Sequence, residues 1–262
     1  MKAMPVSYHR FLDGLSKQEE RFIKRGPLSV PMGDWEKKVP AAARDALDRA
    51  FLKAFALLFG PNGTKIVEHT YSREKRLEEA GVWERGLSPG RARGELRRME
   101  RRSRVGRTAN RLVSGAEGTV LGLLGIGLPD IPVLLAHLLR DLYQTALRYG
   151  FDYRTEEERT YLLLLIQCAL EEGEQRREKD RRVTELGRAL DHGWPVDCAL
   201  EREIQRTAAV LSERLLLVKF VQGIPLVGVV GGAANLSVYG QVSRYAQLKY
   251  KRRFLEKKVR GL

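Results

Sequence analysis

Residues 118–132 read Gly-Thr-Val-Leu-Gly-Leu-Leu-Gly-Ile-Gly-Leu-Pro-Asp-Ile-Pro, and the apolar run Val-Leu-Leu-Ala-His-Leu-Leu follows at residues 133–139. Asp130, just before Ile131 and Pro132, is typical of a helix N-cap, because its carboxylate can accept a backbone N–H of the first turn. Apolar residues recur at three- and four-residue spacing on both sides of this break, and along most of the chain. Strand signals are scarce. The sequence therefore predicts an all-α fold.

Glycines form a stripe on one face of the first segment, and a second glycine-rich segment lies near the C-terminus. A glycine inside a helix costs up to ~1 kcal/mol relative to alanine, so a stripe predicts a compensating contact between closely packed backbones. We predict that the two apolar helices pack face to face in the core of a single-domain, multi-helix bundle. The other interpretation is a hairpin that inserts into a membrane. The predicted packing residues are Gly115, Gly118, Gly122, Gly125, Gly228, Gly231, Gly232 and Asn235.

The chain resembles the EcsC family in three places. These are the motif at 118–152, the acidic start and apolar body of the next helix at 155–165, and the Lys-, Pro-, Gly- and Asn-containing block at 219–235. The resemblance extends over residues 107–253. It implies a helical bacterial protein of a family that has no established activity and is named after a gene beside an ABC transporter operon. A membrane transport protein is therefore an expected partner.

Local signals place several helix boundaries. A helix is predicted to start at Pro40 and to stop at the turn formed by residues 60–63. Thr155 and Glu158 have the spacing of a capping box, and the break at 191–195 precedes another long helix. The polar insert at 171–191 follows no family pattern. Residues 1–35 are predicted to be a poorly defined N-terminal segment, and residues 36–262 one EcsC-like helical domain.

Positive charge is concentrated in two blocks. The net charge is +14, and ten Arg against two Glu between Arg85 and Arg111 supply +8 locally, while eight Lys or Arg against one Glu between Arg244 and Arg260 supply +7. Each block adjoins an apolar glycine-rich segment, as cytoplasmic flanks of membrane-contacting segments do. A solvated arginine-rich helix face is the other interpretation. The residues predicted to bind the membrane are Lys249, Lys251, Arg252 and Arg253.

The partner of this charge is predicted to be an anionic membrane surface rather than nucleic acid. The first block has no Phe, Tyr or Trp on which unpaired bases could stack. The N-terminus lacks the apolar core of a signal peptide, and Cys168 and Cys198 are isolated, which favours a reducing compartment. We therefore expect a cytoplasmic protein, peripheral to the inner membrane.

Chemistry-bearing motifs are weak. The four histidines are far apart, so no metal site is predicted, and no cofactor fingerprint is present. The alternative catalytic set lies on the helix after Asp130, where His137 would be a general base, Asp141 would orient it and Arg140 would bind an anionic group. The i, i+4 spacing of His137 and Asp141 is also that of an ordinary solvated helix face. The sequence thus favours binding over catalysis, with a hydrolase using the 130–152 region or a pore-forming protein as alternatives.

Overall fold

The computed structural model describes residues 6–25, 41–68, 78, 131–221 and 232–261. These residues form helices and no strand, which confirms the all-α fold. The helices of the described part are α1 (Val6–Arg25), α2 (Ala41–Phe59), α3 (Gly63–Glu68), α4 (Ile131–Arg148), α5 (Glu156–Leu170), α6 (Gly173–His192), α7 (Leu200–Val221) and α8 (Gly232–Arg260).

Helix α8 lies at the centre of the described bundle and packs against α1, α4, α5, α6 and α7. Helix α1 runs antiparallel to it, because Glu19 contacts Arg252 while Phe22, further along α1, stacks on Tyr245 with ring centroids 5.1 Å apart. Most of the C-terminal half of α8 is therefore enclosed by other helices rather than exposed on one side.

Helix α5 is buried along most of its length, and every residue from Tyr161 to Leu170 is buried. Thr155 is its N-cap, with its hydroxyl accepting a hydrogen bond from the backbone N–H of Glu158 at 3.2 Å. Three glutamates in the first turn favour the positive end of the helix dipole. The carboxylate of Glu158 turns toward α8, where it accepts a hydrogen bond from Tyr250.

The predicted boundaries with strong local signals are confirmed. Helix α2 runs from Ala41 to Phe59, and α4 begins at Ile131, directly after Asp130, which lies outside the described residues. Helix α6 ends at His192 because Gly193 adopts the left-handed conformation, with φ of 67°, and donates its N–H to the last turn. Glycine adopts this conformation without a steric cost.

Two helices lie where the sequence gave no expectation of one. Helix α1 lies within the segment predicted to be poorly defined, and α6 occupies the polar insert. Both helices are rich in charge, and each buries only a narrow face. In α6 most of the buried residues are Val183 and Gly187. Among the described residues, no helix combines the length and apolarity that crossing a bilayer needs.

Candidate functional site

Arg253 is the centre of a buried ionic cluster. Its guanidinium donates to Glu158 Oε1 at 2.7 Å and, from two nitrogens, to Asp191 Oδ1 at 2.8 and 3.0 Å. The Tyr250 hydroxyl donates to the same Glu158 oxygen at 2.7 Å. These side chains come from α5, α6 and α8, so one arginine ties three helices together. We call Arg253, Glu158, Asp191 and Tyr250 the Arg253 cluster.

Aromatic rings enclose the guanidinium. Its central carbon lies 4.2 Å from the ring centroid of Phe151, 4.6 Å from that of Tyr161 and 5.6 Å from that of Tyr250. Cation–π attraction is stronger when the cation is desolvated, as it is here. Gly187 leaves room for this packing, because a Cβ there would lie 3.1 Å from Tyr161 Cε2 and 3.2 Å from Arg253 Cδ.

The electrostatics of the Arg253 cluster do not suit proton transfer near neutral pH. Burial lowers the pKa of Arg253, but the attraction of Glu158 and Asp191 outweighs it and holds that pKa well above its usual value. Burial, together with the charge of Glu158, raises the pKa of the Tyr250 phenol well above its usual value. The arginine therefore stays charged and the phenol stays protonated. The Arg253 cluster therefore has a structural role, which is to hold α5, α6 and α8 together.

A second ionic group joins α1 and α6 to α8. Lys249 is 3% exposed and lies 2.7 Å from Asp180 Oδ1. Arg252 binds the buried carboxylate of Glu19 through two nitrogens at 2.6–3.0 Å. Because the fork of a guanidinium matches a carboxylate, this pair fixes the position of α1 on α8.

The structure places the residues that were predicted to bind the membrane mainly inside the protein. Lys249 and Arg253 are buried, and Arg252 is covered for most of its surface by its contact with Glu19. Lys251 is half-buried and also makes contacts. The assignment of Lys249, Arg252 and Arg253 to an accessible basic surface is therefore wrong. The acidic partners lie far away in sequence, so a local charge count could not reveal them.

The predicted polar face of α4 is also less exposed than expected. Asp141 is 3% exposed, and its Oδ2 atom has no hydrogen-bond partner in the part of the chain that the structure describes. Arg140 and His137 are half-buried, and Arg140 Nε is likewise unpartnered. The spacing of these residues suggested a face of α4 that is open to solvent. Neighbouring elements cover that face instead, and helical periodicity cannot show such covering. His137 and Asp141 share a side of α4, as their i, i+4 spacing requires.

The predicted glycine contact cannot be placed. Gly115, Gly118, Gly122, Gly125, Gly228 and Gly231 lie outside the described residues. Gly232 and Asn235 are in the first turns of α8, where only the backbone is described. The packing of the two glycine faces stays a prediction.

Arg176 is a buried cation that the sequence gave no reason to single out. It lies in the first turns of α6 with no exposed surface, and none of its three guanidinium nitrogens has a hydrogen-bond partner among the described residues. Its guanidinium carbon lies 4.3 Å from the ring centroid of Phe22 on α1. Burial lowers its pKa. In sequence it is one of several arginines in a charged helix.

Comparison with known proteins gives one family. The model of the EcsC protein family matches residues 16–255. Protein EcsC of Bacillus subtilis (strain 168) is 30% identical over 151 residues, which are 55% of this chain and 58% of that protein. The matched part thus spans a little over half the length of that relative. No solved structure matches the chain.

Proposed function

Because this chain belongs to the EcsC protein family, and because its buried ionic groups hold helices together, we propose that it acts by binding rather than by catalysis. The proposed binding surface is the anionic cytoplasmic face of a membrane, which the protein contacts peripherally. The proposed protein partner is a membrane transport system.

The observation that carries this proposal is the distribution of positive charge along the chain. In α8 the cations Lys249, Arg252 and Arg253 are neutralised by carboxylates of other helices. The residues from Arg85 to Arg111 supply +8 of a net charge of +14 and are followed directly by the apolar glycine-rich segment. A basic block beside an apolar segment is typical of contact with an anionic leaflet, where each Lys or Arg contributes about 1 kcal/mol.

Three carboxylates engaged in ion pairs support binding over catalysis. Glu158, Asp191 and Asp180 each face a cation at 2.7–2.8 Å. A general acid or base must exchange a proton with a substrate, whereas these groups are held as charge partners of a lysine or an arginine.

Vesicle flotation tests the proposal. The full chain should float with vesicles of equal parts phosphatidylglycerol and phosphatidylcholine at low salt and should sediment at high salt, because the Debye length falls from ~10 Å at 0.1 M to ~3 Å at 1 M. A variant with glutamine in place of Arg97, Arg98, Arg101 and Arg102 lacks four cations of the basic block at residues 85–111. At about 1 kcal/mol each, these changes should weaken binding up to roughly a thousandfold.

A matched control removes the same charge elsewhere. Lys17, Arg21, Arg177 and Arg181 are exposed on α1 and α6, and their replacement by Gln should weaken binding much less. Equal loss in both variants would mean that net charge, not the basic block, drives binding. Flotation that survives 1 M salt and carbonate would instead favour insertion of the glycine-rich segments.

One observation favours a second function, that of a hydrolase. Asp141 is a buried carboxylate, one oxygen of which has no partner among the described residues, and it lies on the same side of α4 as His137. Buried groups of this kind are enriched at catalytic sites. Asp141→Asn keeps the shape and removes the charge. Loss of cellular function in this variant, with normal abundance and melting temperature, would favour the hydrolase over the binding protein.

A further inference from the structure

Trp194 is the most exposed of the large apolar side chains in the described part of the chain, at 58%. It follows Gly193, whose left-handed conformation ends α6 and turns the chain outward. The position of Trp194 is nevertheless well defined. Its backbone N–H donates to Ala189 O at 2.9 Å, and its indole stacks on the His192 ring with centroids 4.4 Å apart and planes at 18°. The fold therefore holds a large amphipathic ring outward.

Cations lie near the C-terminal ends of α6 and α8, which meet at His192. Arg260, in the last turn of α8, places Nη1 at 2.6 Å from Nε2 of His192. Lys257 lies one turn earlier on the same side of α8, since residues three apart share a helix face. Arg188 is exposed four residues before His192, and its carbonyl oxygen lies 2.7 Å from His192 Nδ1.

The balance of charge at this edge is positive. Within the described residues, neither Arg188 nor Lys257 forms an ion pair. Asp191 is held by Arg253, so the exposed carboxylate of the loop is Asp197. Arg188, Lys257 and Arg260 therefore outnumber the exposed carboxylates Glu185 and Asp197 of the C-terminal part of α6 and the loop after it, and Arg260 also lies 3.9 Å from Asp191 Oδ2. An acidic surface fits this arrangement better than a neutral or basic one.

We propose that Trp194, Arg188, Lys257 and Arg260 form a membrane-contacting edge, which we call the Trp194 edge. This inference rests on the proposed function and adds a contact that is separate from the arginine-rich block. Tryptophan concentrates at the level of the lipid headgroups, because its ring is apolar and its N–H can still reach polar partners. The neighbouring cations would face the anionic headgroups.

The proposed contact fixes an orientation. Helices α6 and α8 both end at the Trp194 edge, at His192 and Arg260. Their C-termini would therefore lie close to the bilayer. An orientation of this kind can be read from a label at each end.

Fluorescence of a single tryptophan tests the proposal. The chain has three tryptophans, and Trp35→Phe with Trp83→Phe leaves Trp194 alone. With vesicles of equal parts phosphatidylglycerol and phosphatidylcholine, Trp194 emission should shift to shorter wavelength and be quenched by brominated lipid. Trp194→Ala should weaken vesicle binding of the otherwise unchanged chain about tenfold, the loss expected when a partly buried aromatic ring is removed.

The controls separate the possible failures. Leu57 is 51% exposed on α2, and Leu57→Ala should leave binding unchanged. If the parent binds vesicles while Trp194 emission is constant and Trp194→Ala binds equally well, the Trp194 edge is wrong and the proposed function stands. If the parent fails to bind anionic vesicles, both are wrong. An emission shift with duplex DNA but not with vesicles would overturn the edge as a lipid contact and assign it to nucleic acid.

Discussion

Two buried arginines should respond in opposite ways to the same substitution. Arg253 binds two carboxylates, whereas Arg176 has no exposed surface and, within residues 6–25, 41–68, 78, 131–221 and 232–261, no hydrogen-bond partner for its guanidinium. Methionine keeps much of the length and apolar volume of the arginine stem and removes the charge. Arg253→Met would leave Glu158 and Asp191 buried without their cation, while Arg176→Met would remove a charge that nothing accepts.

The expected sizes follow from the contacts. Removing one partner of a buried ion pair costs about 3–5 kcal/mol, because the other charge stays buried and uncompensated. In a chain of this length about 1 kcal/mol corresponds to roughly 2–4 °C, so Arg253→Met should lower the melting temperature by roughly 6–20 °C. Arg176→Met relieves an unpartnered buried group worth about 1–3 kcal/mol and loses a cation–π contact of about 1 kcal/mol. Its melting temperature should stay unchanged or rise by a few degrees.

Thermal melts followed by circular dichroism compare the variants. Arg181→Met on the exposed face of α6 gives the baseline for losing a surface arginine. Arg253→Lys keeps the charge but loses the forked guanidinium, so its melting temperature should lie between those of the parent and of Arg253→Met. If Arg176→Met loses as much stability as Arg253→Met, then Arg176 has a partner in solution and the reasoning from unsatisfied nitrogens is refuted.

Three further predictions concern single positions. Gly187→Ala should lower the free energy of unfolding by about 1–3 kcal/mol, since a Cβ would press on the Tyr161 ring at 3.1 Å; an unchanged urea midpoint would contradict this. Burial raises the pKa of Glu203, but hydrogen bonds to its carboxylate outweigh this and hold that pKa below its usual 4.5. Its stabilisation is therefore present above about pH 4.5 and lost as the pH falls through the lower folded value, so the stability gap between the parent and Glu203→Gln should narrow below pH 4.5 in urea titrations. Burial raises the pKa of the Cys168 thiol to about 12, so iodoacetamide at pH 8 should leave Cys168 unmodified in the native protein and alkylate it in urea, as peptide mass spectrometry would show; modification of the native thiol would contradict the burial.

Sequence predicted the helices whose limits depend on nearby residues. The turn at residues 60–63 ends α2, α4 begins at Ile131 directly after Asp130, and Thr155 caps α5. Each of these signals acts within one or two helical turns, so it can be read without knowing the fold. The apolar body of α5 likewise predicts burial on all sides.

The sequence could not show which charges are internal. Arg253 pairs with Glu158, which is 95 residues away, and Arg252 pairs with Glu19, which is 233 residues away. A run of lysine and arginine therefore looked like a free basic surface when most of it holds helices together. Trp194 shows the opposite: a large apolar residue of the kind usually buried is exposed. Only the three-dimensional surroundings of its ring distinguish it from a core residue.

Asp141 shows the same limit on helix α4. Its spacing from His137 predicts a solvated polar face, yet the aspartate is buried. Helical periodicity identifies which residues share a side, but the number of sides that neighbouring elements cover depends on the whole bundle. Burial on the polar side of a helix thus has to be read from the structure.

The most direct test of membrane binding is flotation of the unmodified full chain with anionic and with purely zwitterionic vesicles at 0.1 M salt. Binding through uncompensated basic residues predicts that the protein floats with phosphatidylglycerol-containing vesicles and sediments with phosphatidylcholine vesicles, and that 1 M salt abolishes the difference. Sedimentation in all four conditions would contradict the proposal that this protein works at an anionic membrane surface.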